Sequence, residues 1–209
     1  MSWFFYFTKA VFKTFFFLCT RLKVNGRENI PHTGPLMVVP NHITFAEPFL
    51  IGVLLGRNMR FATIKGFFRY KPAKIIMQSL GGFPVYQGVT DRKIIHMMEQ
   101  HIKDGFALVI FPEGRRSLQA KLLPGLNGPA LIAQRTGALI LPVGISGTEK
   151  MRGFWYFRRP QITVNFGQPF QLPVNNGKLT REEATQIIMK RIRDLLPPEY
   201  HVFYTENEK

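Results

Sequence analysis

The chain has 209 residues, 45% of them hydrophobic. That suits one domain with a substantial core and argues for neither disorder nor a polytopic membrane protein. Lysine and arginine number 28 against 13 acidic residues, for a net charge of +15 and a pI near 10.3. Such a surface attracts polyanions, either nucleic acid or the anionic lipid of a cytoplasmic leaflet, and charge alone does not separate them. Cys19 is the single cysteine, so these residues form no internal disulfide and suit a reducing compartment.

The N-terminal stretch Trp3 to Leu18, WFFYFTKAVFKTFFFL, is interrupted only by threonines and two lysines. It lacks the layout of a signal peptide, because Lys9 and Lys13 split the apolar region. It is also shorter than the roughly 20 apolar residues that a spanning helix needs. Wound as a helix at about 100° per residue, it places Ser2, Lys9, Lys13 and Thr20 on one stripe, and the aromatics take the remaining surface. This predicts an amphipathic helix over residues 1–22 lying in a membrane interface. Trp3, Phe4, Phe5, Phe7, Phe15 and Phe16 would be in the lipid, with Lys9 and Lys13 snorkelling to headgroups. A helix packed on the domain's own core with its lysines in solvent is the alternative, and it suits a narrower apolar arc. Continuous aromatics of this kind fit lipid better than base stacking, so no nucleic-acid partner is expected.

Beyond Arg21 short apolar runs alternate with helical stretches. LMVVP at residues 36–40 reads as a buried strand, followed by a turn and a helix from near Pro48. Residues 59–64 form a candidate strand, 73–80 a short helix, and 83–86 a further strand bounded by glycines. Residues 91–104 are helical, with Thr90 or Asp91 as N-cap and Gly105 as the stop. FALVIF at 106–111 has no polar residue, as expected of a strand covered on both faces. A helix over 127–136, strands over 138–145 and 161–166, and a closing helix over 180–196 complete the pattern. Thr180 and Glu183 stand at capping-box spacing. The expectation is one α/β domain at residues 23–200 with a mixed, largely parallel sheet flanked by helices, and a frayed tail at 201–209.

Two segments at strand ends carry chemistry, where open α/β sheets place their ligands. In Asn41-His42-Ile43-Thr44-Phe45-Ala46-Glu47-Pro48, a histidine leaves a strand and a carboxylate follows five residues later. On a continuous helix these two would lie about 140° apart, so His42 belongs in the turn and Glu47 near the helix start. An imidazole so placed takes a proton through one nitrogen while a carboxylate fixes the other N–H. In Phe111-Pro112-Glu113-Gly114-Arg115-Arg116-Ser117, a tight turn delivers one carboxylate and two guanidiniums, whose planar forks match phosphate.

Together the two segments resemble the glycerolipid acyltransferase family, which includes the 1-acylglycerol-3-phosphate acyltransferases. That family's blocks N-H-x4-D and F-P-E-G-T-R-S stand here as Asn41-His42-x4-Glu47 and FPEGRRS, about seventy residues apart and in order. Lys65, Gly81-Gly82-Phe83-Pro84-Val85 and Leu141-Pro142-Val143-Gly144 match more weakly, and the likeness runs from about Val24 to Phe170.

The resemblance implies direct acyl transfer from acyl-CoA or acyl carrier protein to the free hydroxyl of lysophosphatidic acid, without an acyl-enzyme, metal or cofactor. His42 would be the base and Glu47 its orienter. Asn41, Lys65, Glu113, Gly114, Arg115, Arg116 and Ser117 would form the substrate site, with Arg116 on the acceptor phosphate. Backbone N–H groups near the helix start after His42 would hold the oxyanion. Other acceptors (glycerol-3-phosphate, another lysophospholipid or a glycolipid) and a catalytically silent lipid-binding relative are the alternatives.

Three positions depart from the family pattern. Glu47 replaces Asp, so the turn must change or the rate must fall; Gln87 stands where an Arg is usual; and Leu126 replaces a Lys. Arg115 and Arg92 offer compensating charge. The basic-aromatic segments 65–71 and 152–159, Trp155 among them, suit interfacial anchoring. The expected setting is therefore a monotopic position on the cytoplasmic face of a membrane, with an anionic surface and a lysophospholipid as partners.

Overall fold

The wholly apolar run Leu36–Pro40 forms the central strand β2 in the computed structural model, which describes residues 3–85, 92–151, 153, 155–173 and 179–201. Around it lie β1 (Arg21–Asn25), β3 (Met59–Ile64), β4 (Gly82–Val85), β5 (Ala107–Val109), β6 (Leu139–Ser146) and β7 (Gln161–Phe166). Their order across the sheet is β1-β7-β6-β2-β5-β3-β4. Among the described strands β6 and β7 pair antiparallel and the other neighbours pair parallel. The expected mixed, largely parallel α/β sheet is what forms.

Side chains of β2 alternate between two cores because successive Cβ atoms point to opposite faces. Leu36 and Val38 join Leu50, Ile51 and Met77 on one side. Met37 and Val39 join Met98, Ile132 and Ile188 on the other. The first core is covered by α1 (Trp3–Cys19), α2 (Glu47–Leu54) and α3 (Lys71–Ser79), the second by α4 (Arg92–Lys103), α5 (Asn127–Thr136) and α7 (Arg181–Arg193). A four-residue helix α6 (Trp155–Arg158) lies against α1.

Boundaries moved for identifiable reasons. β5 is shorter than the run 106–111, because a turn closes at its end where Gly114 N–H bonds Phe111 O, and Pro112 has no donor to give a ladder. α3 starts at Lys71, since Pro72 fits a first helical turn. α7 stops at Arg193, where Leu195 and Leu196 switch to bonds three residues back. Its start is the expected capping box: Glu183 N–H donates to Thr180 Oγ1 and Thr180 N–H to Glu183 Oε2. Edge strand β1 was not foreseen; its signal is only Leu22 and Val24 alternating with polar neighbours. Tyr86, Gln87, Thr90, Asp91, Arg152, Phe154 and the tail from Val202 lie outside the described residues, as do the side chains of Phe4, Phe5, Phe67 and Trp155.

α1 departs most from its expectation. The helix forms, but it docks through Thr8, Phe12 and Phe16 onto α2 and α3, so Phe16, 2% exposed, belongs to the core and not to a lipid surface. Thr20, placed with the polar stripe, is buried as well and donates to Phe16 O. Lys9 is half-buried, and its ammonium is held below the usual lysine range, first by desolvation and then by Arg27 and Lys13. Trp3, Tyr6, Phe7, Val11, Phe15 and Leu18 face outward and are exposed. The aromatic surface is thus divided between the core and the outside. The sheet also begins at Arg21, ahead of the anticipated division after residue 22.

Candidate active site

Strands β6, β2 and β5 are adjacent and mutually parallel through β2, so all three end on one edge of the sheet. The turns that leave them hold His42, Glu113 and Thr148, and these three turns interlock.

His42 Nδ1 lies 2.8 Å from Glu47 Oε2, with the imidazole 15% exposed and the carboxylate fully buried. A carboxylate accepts and does not donate, so in the neutral imidazole the proton belongs on Nδ1 and Nε2 keeps its lone pair. Glu47 is the first residue of α2, where the helix dipole favours negative charge, and Pro48 sits in that first turn. Its carboxylate folds back over its own turn. Thr44 N–H lies 2.8 Å from both oxygens, Ile43 N–H donates to Oε2 at 3.2 Å, and Thr44 Oγ1 donates to Oε1 at 2.9 Å. Thr148, at the end of β6, adds a hydroxyl 2.6 Å from Oε1. The extra methylene is therefore taken up by a turn that wraps the carboxylate. This also corrects an expectation: the N–H groups of Ile43 and Thr44 are spent on Glu47, and His42 N–H on Glu113, so they are not an oxyanion hole.

Glu113 props the backbone of His42. Its Oε1 accepts from His42 N–H at 2.6 Å and its Oε2 from Leu123 N–H at 2.9 Å. Burial pushes this carboxyl up to about 7; the two backbone bonds pull against that shift and the nearby Glu47 charge adds to it. The carbonyl of His42 is held in turn by Ser117 N–H at 2.7 Å, and its ring stacks on Phe111 with centroids 4.0 Å apart.

Three residues expected to contact substrate are spent on this scaffold. Asn41 is 2% exposed; its amide donates to Ile145 O at 2.9 Å and accepts from Ile145 N–H at 2.7 Å, which fastens the turn to β6. Ser117, also 2% exposed, caps its own turn by accepting from Lys121 N–H. Glu113 is buried as described. Each does for the backbone what a substrate contact would preclude.

Arg115 is exposed, and Arg116 rests its guanidinium 3.5 Å from the ring centroid of Phe45 in the His42–Glu47 turn. Gly114, at φ +66°, makes the reversal that delivers these arginines, and a Cβ there would meet Leu126 Cδ1 at 2.5 Å. Lys65 is exposed at the start of a 3-10 turn, Lys65–Arg69, that follows β3. Phe111, Thr44 and Thr148 were missed as site residues. Thr44 was within reach of sequence reasoning, since it lies inside the His42–Glu47 interval; a Gly-Thr pair after a strand is too common to single out Thr148.

A histidine bonded to a buried carboxylate, with a guanidinium beside it, stands at the ends of parallel strands, an arrangement with the chemistry to take a proton from a hydroxyl near an anionic group. The chain belongs to the acyltransferase family, whose model, described as Acyltransferase, matches residues 21–146. It is 28% identical over 132 residues to a chloroplastic 1-acyl-sn-glycerol-3-phosphate acyltransferase of Brassica napus, covering 61% of this chain and 38% of that one. A chloroplastic counterpart from Arabidopsis thaliana is 26% identical over 135 residues, covering 63% of this chain and 37% of its own length. The chain thus spans less than two-fifths of these two curated relatives. Its fold is that of the crystal structure of the 1-acyl-sn-glycerophosphate acyltransferase PlsC from Thermotoga maritima: TM-score 0.71 at 23% identity, over 91% of this chain and 77% of that one.

Proposed function

We propose that the chain transfers an acyl group from a thioester donor, acyl-CoA or acyl carrier protein, to the free hydroxyl of lysophosphatidic acid, forming phosphatidic acid. The observation that carries this reading is the 2.8 Å contact between His42 Nδ1 and buried Glu47, which leaves Nε2 as an acceptor. Nε2 takes the proton of the acceptor hydroxyl as its oxygen attacks the thioester carbonyl. The tetrahedral intermediate then expels the thiolate, which recovers the proton from His42, so no group is left on the enzyme. Glu47 keeps the ring in the productive tautomer and offsets the charge of the imidazolium. Arg116, with Arg115 and Lys65, supplies cations for the acceptor phosphate. Two observations support this acceptor: Arg116 lies against the turn that carries His42, and the relatives are 1-acyl-sn-glycerol-3-phosphate acyltransferases.

The reading includes a monotopic position on the cytoplasmic face of a membrane. Among the described residues no helix is long and apolar enough to cross a bilayer. The outward arc of α1, from Trp3 to Leu18, and Tyr156 and Phe157 of α6 form an exposed apolar surface, and the +15 charge favours anionic lipid.

The test is the purified chain, in detergent and on anionic vesicles, given acyl-CoA or acyl carrier protein and a panel of lysophosphatidic acid, glycerol-3-phosphate, other lysophospholipids and glycolipid acceptors. Lysophosphatidic acid should show the highest kcat/KM, and His42→Ala should lose about 10³-fold, roughly 4 kcal/mol of transition-state stabilisation. Absence of turnover with every acceptor, or a His42→Ala variant equal to wild type, sinks the proposal. A chain that does not float with anionic vesicles removes the membrane position alone.

A further inference from the structure

Two separate struts hold His42, and both end on one residue far along the chain. The first runs through the ring: His42 Nδ1 to Glu47, then Glu47 Oε1 to the hydroxyl of Thr148 at 2.6 Å. Thr148 is fully buried and lies in the turn Thr148–Lys150 that leaves β6. That turn is fixed by Gly147, whose φ of +89° and 2.1 Å Cβ approach to Gln161 O admit no side chain. Gly147 N–H donates to Tyr200 Oη at 2.9 Å, and the same phenol donates to Glu149 Oε1 at 2.7 Å. The phenol therefore clamps the turn on both sides of Thr148.

The second strut runs through the backbone. His42 N–H donates to Glu113 Oε1, and Glu113 Oε2 accepts from Leu123 N–H. The neighbouring Leu122 N–H donates to Tyr200 O at 2.8 Å. One buried tyrosine thus grips the turn behind Glu47 with its hydroxyl and the loop behind Glu113 with its carbonyl. Tyr200 sits in the short turn Pro198–Tyr200 behind two prolines, which limit its backbone freedom. Burial, and then Glu149, push its phenol above the ordinary tyrosine range, so it stays a donor.

We propose that Thr148 and Tyr200 are positioning residues of the acyl-transfer centre: Thr148 anchors the long Glu47 side chain, and Tyr200 holds the turn that presents Thr148. Both lie beyond residues 21–146, the part that matches the family model. The four other donor groups on Glu47 (His42 Nδ1, the N–H groups of Ile43 and Thr44, and Thr44 Oγ1) come from residues 42–44, next to it in sequence. Asn41 fastens the backbone of this turn to β6, and Thr148 is the donor to Glu47 that comes from outside the turn, so it ties the carboxylate itself to the end of that strand. The acyl-transfer role rests on the function proposed above; the placement of the His42 proton does not.

The experiment therefore has two readouts on the full chain in detergent: acyl-transfer kinetics, and NMR of the 15N-labelled His42 imidazole with exchange of its Nδ1 proton. Thr148→Val keeps the volume and removes the donor. It should lower kcat by about 30-fold with little change in KM and speed Nδ1 proton exchange. Thr148→Ser should restore both. Tyr200→Phe removes the phenol but keeps the carbonyl bond to Leu122, and should lower kcat about fivefold with the same change in exchange. Because Tyr200 acts through Thr148, the double variant should match Thr148→Val. The inference is overturned if Thr148→Val leaves the imidazole signal and exchange as in wild type, or if the two losses multiply. It is also overturned if Thr148→Ser is as impaired as the valine variant. If the wild type transfers no acyl group while the imidazole responds as stated, the functional reading fails and the structural placement stands.

Discussion

The turn that carries His42 and the arginine turn beside it sit on adjacent strands but are built on opposite principles. In the first, Glu47 is fully buried and takes donors from His42, Ile43, Thr44 and Thr148, while the backbone of His42 is held at both its N–H and its carbonyl. In the second, Arg115 is exposed and Arg116 lies over the half-exposed ring of Phe45. A proton transfer loses rate when groups shift by about 1 Å, whereas a phosphate can be met by long side chains from several directions. The departures from the family pattern follow that division. Glu47, which stands where the family has Asp, is bonded on both oxygens, while Arg115, where the family has Thr, lies exposed.

Shortening the carboxylate is the sharpest way to break this contrast. Glu47→Asp restores the residue usual in the family, yet Thr148 and the wrapped turn are arranged for the longer arm. An aspartate cannot keep Oε1 on Thr148 and Oε2 on His42 together, so kcat should fall by roughly 10- to 100-fold with KM little changed. A rise in kcat would mean that the dyad is impaired as it stands and that the bonds around Glu47 are incidental. Steady-state kinetics with lysophosphatidic acid decide this.

The contrast also separates what could be read in advance from what could not. His42 and Glu47 were legible because a base and its orienter lie five residues apart, and β2 was legible because LMVVP has no polar side chain. Thr148 and Tyr200 were not, because their partners are about 50 to 100 residues away and meet only after β6 and β2 pair. Asn41, Glu113 and Ser117 were visible as polar residues in a motif, but whether such groups face substrate or backbone depends on which donors the fold brings to them. α1 failed in a similar way. Its apolar surface is evident, but with phenylalanines almost all round, periodicity does not say which arc the core will take.

On the recognition side the expected effect is smaller and of another kind. On the proposed reading, in which the guanidinium binds a phosphate that is unchanged by the reaction, Arg116→Ala should raise KM for lysophosphatidic acid about tenfold and leave kcat within about twofold. Arg116→Lys should recover only part of this, since an ammonium stacks less well on Phe45 and cannot form a fork on phosphate. A fall in kcat with KM unchanged would place Arg116 with the dyad and erase the division between the two turns.

Glu113 lies between the two, and its effect appears in stability, not in recognition. The folded state raises this carboxyl from 4.5 to about 7 through burial, so between those values the folded chain binds its proton more tightly than the unfolded chain does. Stability therefore carries a contribution that is full below pH 4.5, declines as pH rises, and is gone above about 7. Glu113→Gln has no proton to lose, so this slope should vanish. Its amide can accept from only one of His42 N–H and Leu123 N–H, which costs about 1 kcal/mol at all pH values. Urea midpoints at pH 5 and pH 8 test the sign: wild type should lose more stability between them than the glutamine variant. Equal losses would mean that Glu113 is ionised across the range, and its two backbone bonds would then outweigh the cost of burying its charge.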